Sequence, residues 1–268
     1  MVVMNRPSVK NAMNDDMYED LVSVMIAVED DPTIAAMVLT GMGDYFSSGA
    51  DLAQASQVAN SLQPRQTLHK PAGKFMHTLL HFSKILAAAV QGPAVGIAMT
   101  LLLHCDLVIA DRQRATFWAP FTRLALVPEL CSSSTFPRTM GLSKANEMLL
   151  LGKRISAQTA YEYNICSQLH TIEKDSSRDP FGLDSLASKL SHELHASLLS
   201  SLPLGDKTAN EYFVKLVKHN AHRKQQLQTA LHDELRLLDE RFDTGQVAQA
   251  FAQLSMGKSK RRPTHSRL

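Results

Sequence analysis

The stretch from Ile85 to Asp106, ILAAAVQGPAVGIAMTLLLHCD, constrains the fold more than any other part of the chain. Its first six residues are apolar without alternation and are followed by Gly92 and Pro93, which predicts a short buried strand. We expect a helix to begin near Gly96. Because this helix is apolar on nearly every side, it should be enclosed by protein. The stretch therefore indicates a buried strand, a tight turn and a buried helix.

The turn between this strand and helix also presents backbone amides that can bind a ligand. The first amides of a helix have no partner within the helix and point out of its N-terminal end. Such an end suits an anion or a developing oxyanion. The alternative is a buried crossover whose glycines serve only the turn, and this alternative is common.

A second glycine turn lies earlier in the chain. Ala35 to Leu39 is predicted to be a buried strand, and it leads into YFSSGADL, Tyr45 to Leu52, which also presents backbone amides. The following stretch, Ala53 to Lys70, is rich in Gln, Ser and Ala. This composition favours a mobile loop or an irregular helix that covers a site.

Strand and helix patterns alternate up to about residue 178, after which the chain is rich in helical patterns. Leucines recur at helical spacing from Leu183 to Leu198 and again from Leu227 to Leu238. Such stripes are typical of a core or a subunit interface. We therefore expect an α/β core at 1–178, a helical region at 179–257 and a basic tail at 258–268.

Composition and charge exclude several classes. The chain has 268 residues, of which 44% are hydrophobic and 20% charged, and no apolar run approaches a membrane span. A net charge of +2 does not indicate a nucleic-acid partner. The three cysteines lack CxxC spacing, and His77 and His81 lack a third ligand. We expect reduced thiols and no metal site.

Both ends of the given sequence carry a signal. It ends in Ser266-Arg267-Leu268, a variant of the Ser-Lys-Leu peroxisomal address, behind a basic run; a solvated end is the alternative. We therefore expect recognition by a peroxisomal import receptor and location in a peroxisome or related organelle (glycosome). Val2 to Met4 is short for a first strand, so we also expect the natural start to lie upstream.

Glu129 is the acid that the sequence singles out. It lies in LVPELCSSSTFP among apolar residues, and a carboxylate in such company should have a raised pKa. The alternative is an acid exposed in a turn, which is the commoner case. Ser132 to Ser134 are predicted to cap the following helix.

Four segments in order resemble the crotonase, or enoyl-CoA hydratase/isomerase, superfamily: NRPSVKNAMN, FSSGADL, QGPAVGIAMTLLLHCDLVIA and LVPELCSSSTFP. The resemblance implies an α/β fold, a crotonase-type spiral of repeated ββα units. It also implies a C-terminal helical region that makes homotrimers or hexamers.

The resemblance implies an oxyanion hole for a thioester carbonyl, formed by the backbone N–H groups of Ala50 and Ile97. The two positions that carry catalytic glutamates in the hydratases hold Thr100 and Phe121 here. Neither side chain can accept a proton at neutral pH, so ordinary hydration is not expected. Glu129 matches the single catalytic glutamate of the peroxisomal-type Δ3,Δ2-enoyl-CoA isomerases. Those isomerases usually have glycine where this chain has Leu130.

What is implied is movement of a double bond from the 3- to the 2-position of an acyl-CoA by a one-base proton shuttle, as in fatty-acid β-oxidation. No cofactor or metal is expected, because coenzyme A is part of the substrate. Alternatives are another acyl-CoA reaction such as thioester hydrolysis, and a non-catalytic acyl-CoA-binding protein. Residues expected near substrate or CoA are Lys10, Asn11, Ser48, Gly49, Asp51, Leu52, Gly96, Trp118 and Phe121.

Overall fold

The computed structural model describes residues 1–59, 67–171 and 221–259. Its larger sheet is entirely parallel, and its strands lie in the order β1, β2, β3, β5, β8. A smaller sheet has the order β4, β6, β7, in which β4 and β6 are parallel and β7 is antiparallel. The strands are β1 Val2–Met4, β2 Ala36–Gly41, β3 Ile85–Val90, β4 Ala94–Val95, β5 Leu107–Asp111, β6 Thr116–Trp118, β7 Ile155–Ser156 and β8 Gln168–His170.

Helices connect the strands and also follow them. The α-helices are α1 Asp15–Asp30, α2 Leu52–Ala59, α3 Pro71–His81, α4 Ile97–Thr100, α5 Ser132–Met140, α6 Leu142–Leu149, α7 Ala157–Glu162, α8 Ala221–Asp243 and α9 Gln246–Ser259. Short 3-10 helices lie at Pro7–Val9, Thr67–His69, Leu101–His104 and Thr122–Leu124.

The start of α1 shows how local sequence sets an element boundary. The Asn14 side chain accepts a hydrogen bond from the Met17 amide at 3.2 Å, and Asp15 and Asp16 follow in the first turn. Both features stabilise the positive end of a helix. The buried side of α1 packs against α3 in the main core.

The central strand β3 separates two apolar clusters. Leu86, Ala88 and Val90 belong to the main core, whereas Ala87 and Ala89 alternate with them and pack with residues of neighbouring strands. This alternation follows from the two-residue period of a strand. The small alanines are fully buried on both faces, which confirms the predicted buried strand.

The α/β prediction is confirmed, including the strand at Ile85–Val90 and a helical segment directly after Gly96. The second leucine stripe lies on α8, where Leu227, Leu231, Leu235 and Leu238 are buried. The first stripe, the boundary at 178/179 and residues 260–268 of the predicted tail lie outside the described residues, so these remain predictions. Among the described helices, none is long and apolar enough to cross a bilayer.

Candidate active site

The two glycine turns lie side by side. Ser47 and Ala94 form a parallel bridge, in which the Ser47 N–H donates to the Pro93 carbonyl at 3.2 Å and the Val95 N–H donates to the Ser47 carbonyl at 3.0 Å. Counting three residues onward in each segment gives Ala50 and Ile97. The pairing of Ser47 with Ala94 therefore places Ala50 and Ile97 in neighbouring stretches of backbone.

Glycine is required where the two turns touch. Gly49 has φ 83° and Gly96 has φ 58°, conformations that side chains disfavour. A Cβ added at Gly49 would overlap the carbonyl oxygen of Val95 and lie 3.6 Å from the Cα of Gly96. Gly49 thus allows a backbone approach that no larger residue permits.

The amides that follow these glycines are available. Within the described parts of the chain, neither the Ala50 nor the Ile97 N–H donates to another residue. Ile97 is also the first residue of α4, so its N–H lies at the positive end of a helical segment. Two such amides can hold an anion or a developing oxyanion.

Trp118 lies next to this pair of turns through its backbone. Its carbonyl accepts from the Gly96 N–H at 2.8 Å. Its half-buried indole lies near two guanidinium groups, 5.6 Å from that of Arg123 and 4.7 Å from that of Arg154, and its ring N–H donates to the Gly152 carbonyl at 2.8 Å. The ring is therefore held by cationic neighbours, and its expected contact with substrate remains a prediction.

Glu129 lies in the loop that leads into α5. Its pKa is raised to about 7, first by burial and then by the negative charge of Glu234. Burial and the charge of Glu129 also raise the pKa of Tyr18 on α1, so Tyr18 lies close to the same carboxylate. The predicted rise in the pKa of Glu129 is thus confirmed, and a carboxyl with a pKa near neutrality can both accept and return a proton.

The backbone after Glu129 is unusual. Leu130 and Cys131 have φ 54° and 59°, two consecutive left-handed residues that are not glycine. The buried His104 imidazole donates from Nε2 to the Leu130 carbonyl at 2.9 Å, and the Ser132 N–H donates to the Glu129 carbonyl at 3.1 Å. Specific contacts therefore hold the turn that orients Glu129.

Glu234 supplies the cap of α5, a role that the sequence assigned to Ser132–Ser134. Those serines lie inside the helix, and Cys131 at the N-cap has no side-chain cap bond. Glu234 Oε2 accepts from the Cys131 N–H at 2.6 Å, and Oε1 accepts from the Ser133 N–H at 2.8 Å. The signal in the sequence that could have indicated this role is Glu234 itself, a charged residue within the leucine stripe of α8.

The turn at Lys10 and Asn11 supports the fold. Lys10 is exposed, and its ammonium lies 4.9 Å from the centre of the Tyr45 ring. The Asn11 side chain is buried and donates to the carbonyls of Met42 and Tyr45, each at 2.8 Å. The Asn11 amide is thus already bonded within the protein, and the expected contacts of Lys10 and Asn11 with CoA stay predictions.

The other predicted contacts surround the Gly49 turn. The Ser48 N–H donates to the Lys10 carbonyl at 2.9 Å, and Ser48 is half-buried. Asp51 forms an ion pair with Arg6 at 3.1 Å, and Leu52 is exposed at the start of α2. The structure therefore brings Lys10, Ser48 and Asp51 to the same turn as Ala50.

Thr100 and Phe121, which stand where the hydratases are expected to carry catalytic glutamates, are packed inside the protein. The Thr100 hydroxyl donates to the Ile97 carbonyl at 3.1 Å, and both Thr100 and Phe121 are buried. Phe121 packs in the main core, and the expected contact of its side chain with substrate stays a prediction. Neither side chain can position or activate water as a base.

Among the described residues, no three potential metal ligands lie close enough together to hold an ion. His77 and His81 stack with ring centres 4.2 Å apart, and Nδ1 of His81 lies 2.8 Å from the His77 carbonyl. These contacts within α3 explain the spacing of the two histidines without a metal ion.

Comparison with known proteins shows the family of the chain. A family model described as enoyl-CoA hydratase/isomerase matches residues 1–175. The chain is 42% identical over 171 residues to enoyl-CoA delta isomerase 2 of Rattus norvegicus, covering 63% of this chain and 43% of that protein. It is 40% identical over 169 residues to enoyl-CoA delta isomerase 3, peroxisomal, of Mus musculus, covering 63% of this chain and 53% of that protein.

The chain thus spans about half the length of these curated relatives. A solved structure of an enoyl-CoA hydratase/isomerase from Pseudoalteromonas atlantica superimposes with a TM-score of 0.78 at 26% identity. The superposition covers 98% of this chain and 94% of that one. The likeness in fold therefore extends over nearly the whole chain.

Proposed function

Since the chain belongs to the enoyl-CoA hydratase/isomerase family, we propose that it is a Δ3,Δ2-enoyl-CoA isomerase. The observation that carries this proposal is a single carboxylate, Glu129, whose pKa is raised to about 7. At the two positions where the resemblance implies catalytic glutamates in hydratases, this chain has Thr100 and Phe121 instead. A single base that takes and returns a proton suits an isomerisation. The names of the isomerase relatives support the same activity.

The N–H groups of Ala50 and Ile97 bind the thioester carbonyl of the substrate in this proposal. Removing a proton from C2 places negative charge on that carbonyl oxygen. Preorganised amide donors stabilise this charge, and each such donor typically contributes about a hundredfold or more in rate. The close contact of Gly49 with the Val95–Gly96 backbone supports the proposal that the two donors lie side by side.

Glu129 carries the proton. Its carboxylate removes the C2 proton of a 3-enoyl-CoA, the electron pair of that C–H bond enters a conjugated dienolate, and the carboxylic acid returns the proton to C4. The product is the 2-enoyl-CoA, with no net change in protons or electrons. A pKa near neutrality allows both halves of this shuttle.

Hydration of a 2-enoyl-CoA is not part of the proposal. Water addition in this family needs carboxylates that hold and activate a water molecule, and the resemblance puts Thr100 and Phe121 at those positions. The Thr100 hydroxyl is already bonded to the Ile97 carbonyl, and Phe121 has no polar group. A second acid is therefore not supplied from either position.

Location and assembly are further parts of the proposal. The peroxisomal name of the mouse relative supports a peroxisomal or glycosomal location, with Ser266-Arg267-Leu268 read by an import receptor. A homotrimer or hexamer is proposed from the family resemblance. The acyl-CoA contacts of Lys10, Ser48 and Asp51 are proposed from their place beside the Ala50 turn.

The test is turnover of the purified chain with trans-3-enoyl-CoA, followed by the absorbance of the conjugated 2-enoyl-CoA. Parallel assays measure hydration of 2-enoyl-CoA and release of free CoA thiol. We expect isomerisation without either competing reaction. Thiol release without isomerisation would replace the proposal with thioester hydrolysis, and binding without any turnover would replace it with a non-catalytic role.

A further inference from the structure

Glu234 is a buried carboxylate that the proposed reaction does not use. It lies on α8, outside the residues 1–175 that the family model matches, and is 4% exposed. Both of its oxygens accept backbone hydrogen bonds, from Cys131 at 2.6 Å and from Ser133 at 2.8 Å. A buried carboxylate is costly unless it is paired in this way, and the positive end of α5 adds favourable charge.

Three residues of α8 make polar contacts with the loop that carries Glu129 or with the start of α5, and Glu234 is the central one. One helix face presents Leu227, Glu234 and Arg241, since residues seven apart lie on the same side. The Cys131 thiol lies 3.1 Å from the Leu227 carbonyl, and Arg241 Nε donates to the Ala125 carbonyl at 3.0 Å. The loop is thereby tied to α8 on both sides of Glu129.

The titratable groups near Glu129 come from several elements. Tyr18 on α1 interacts with the Glu129 carboxylate and also with Asp15 on its own helix. Glu234 on α8 interacts with Glu129, and His104 contacts the neighbouring Leu130 carbonyl. Cys131 is bonded to Glu234 through its N–H, and Arg241 on α8 donates to the Ala125 carbonyl. Burial raises the pKa of Glu234, and the amide hydrogen bonds that it accepts from Cys131 and Ser133 act in the opposite direction by favouring its charged form. After burial, the charge of Glu234 is the second cause that raises the pKa of Glu129.

We infer that Glu234 is a positioning residue for Glu129: it holds the left-handed turn at Leu130 and Cys131 and places a second carboxylate near the proposed base. This inference rests on the proposed function. The interaction between the two carboxylates can nevertheless be measured without substrate, because it concerns how Glu234 orients Glu129 and changes its pKa. Moving the cap of α5 would redirect Glu129, and a misplacement of about 1 Å at a catalytic group can cost about a hundredfold in rate.

The experiment compares wild type with Glu234→Gln and Glu234→Asp. Glutamine keeps the size of the side chain but removes its charge, and its NH2 group faces a backbone N–H that it cannot accept from. Aspartate keeps the charge but shortens the reach. The matched control is Glu240→Gln, an exposed glutamate on α8 that pairs with Arg236.

Two readouts are used. The first is the pH profile of kcat/KM for isomerisation, with kcat and KM separated. The second is a carbon-13 NMR titration of the Glu129 carboxyl, assigned by loss of its signal in Glu129→Gln. The titration needs no substrate, so it tests the coupling of the two carboxylates even if the wild type fails to isomerise 3-enoyl-CoA. Failure of the proposed function would appear only in the wild-type assay.

In Glu234→Gln we expect the pKa of Glu129 and the acidic limb of the profile to move down by roughly 0.5–1 pH unit, with kcat lowered about tenfold or more and KM little changed. Glu234→Asp should keep the limb near the wild-type pH while kcat falls. Glu240→Gln should match the wild type. An unchanged pKa of Glu129 in a folded Glu234→Gln protein would overturn the inference, and so would equal losses in kcat for Glu234→Gln and Glu240→Gln.

Discussion

His104 donates a hydrogen bond from Nε2 to the carbonyl oxygen of Leu130 at 2.9 Å, and thereby joins the two halves of the candidate site. His104 ends the helical segment that begins with Ile97, and Leu130 directly follows Glu129. The amide proposed to bind the thioester and the carboxylate proposed to move the proton are thus held by one short segment. Ile97 and Leu130 are both buried, so the contact joins these two segments inside the core.

The pH dependence of activity follows from the pKa of Glu129. The base must be ionised in the free enzyme, and burial raises its pKa to about 7. We expect kcat/KM to fall about tenfold for each pH unit below this value and to level off above it. Steady-state rates from pH 5 to pH 9 provide the measurement, and a limb near the ordinary glutamate pKa of 4.5 would contradict the assignment.

The same shift affects stability. A folded-state pKa raised from 4.5 to about 7 means that ionising Glu129 costs stability as pH rises through that range. Glutamine avoids this cost. We expect Glu129→Gln to melt roughly 3–8 °C above wild type at pH 8 and at nearly the same temperature at pH 4.5. Thermal unfolding at the two pH values tests this, and equal differences at both would contradict it.

Much of the fold was predictable because its signals are local. An unbroken apolar run predicted β3, and Asn14 with two acids predicted the start of α1. The pairing of Ser47 with Ala94 brings together residues 47 positions apart, which periodicity does not show. The resemblance supplied Ala50 and Ile97 as a pair.

The Gly49 and Gly96 turns yield a matched pair of variants. An alanine Cβ at Gly49 would overlap the Val95 carbonyl, whereas at Gly96 it would meet nothing within 4 Å. Both positions have positive φ, so both variants carry backbone strain, roughly 1–3 kcal/mol. In Gly49→Ala the added Cβ must also push the Gly49 turn away from the Gly96 turn. We therefore expect the kcat of this variant to fall at least about a hundredfold.

Gly96→Ala serves as the control for strain without overlap. Denaturant unfolding measures the stability of both variants, and turnover with acyl-CoA binding measures the site. Gly49→Ala should lose more kcat than its loss of stability explains. Equal turnover in the two variants would show that the close approach at Gly49 does not set the oxyanion hole.

The family resemblance implies glycine at the position of Leu130, and the φ of 54° at this residue suits glycine. Its side chain is nevertheless fully buried in the main core. Leu130→Gly would relieve about 1–2 kcal/mol of left-handed strain but lose about 2–5 kcal/mol of packing. We expect a net loss of about 1–3 kcal/mol, measured by denaturant unfolding. A more stable variant would show that strain exceeds packing at this residue.

Glu234 and Asn11 show where the sequence was insufficient. Glu234 lies 105 positions after Glu129 and appeared as a polar residue in a leucine stripe, with nothing in the pattern to show which helix end it would cap. The buried bonds of the Asn11 side chain to Met42 and Tyr45 likewise arise from a tertiary contact that no local pattern reports.

The central claim is that Glu129 alone moves the proton. The most direct measurement is the turnover of trans-3-enoyl-CoA by Glu129→Gln, with acyl-CoA affinity measured by calorimetry and with the exposed Glu162→Gln as control. We predict a loss of about a thousandfold or more in kcat with affinity kept, and a control equal to wild type. Turnover by Glu129→Gln at the wild-type rate would contradict the account.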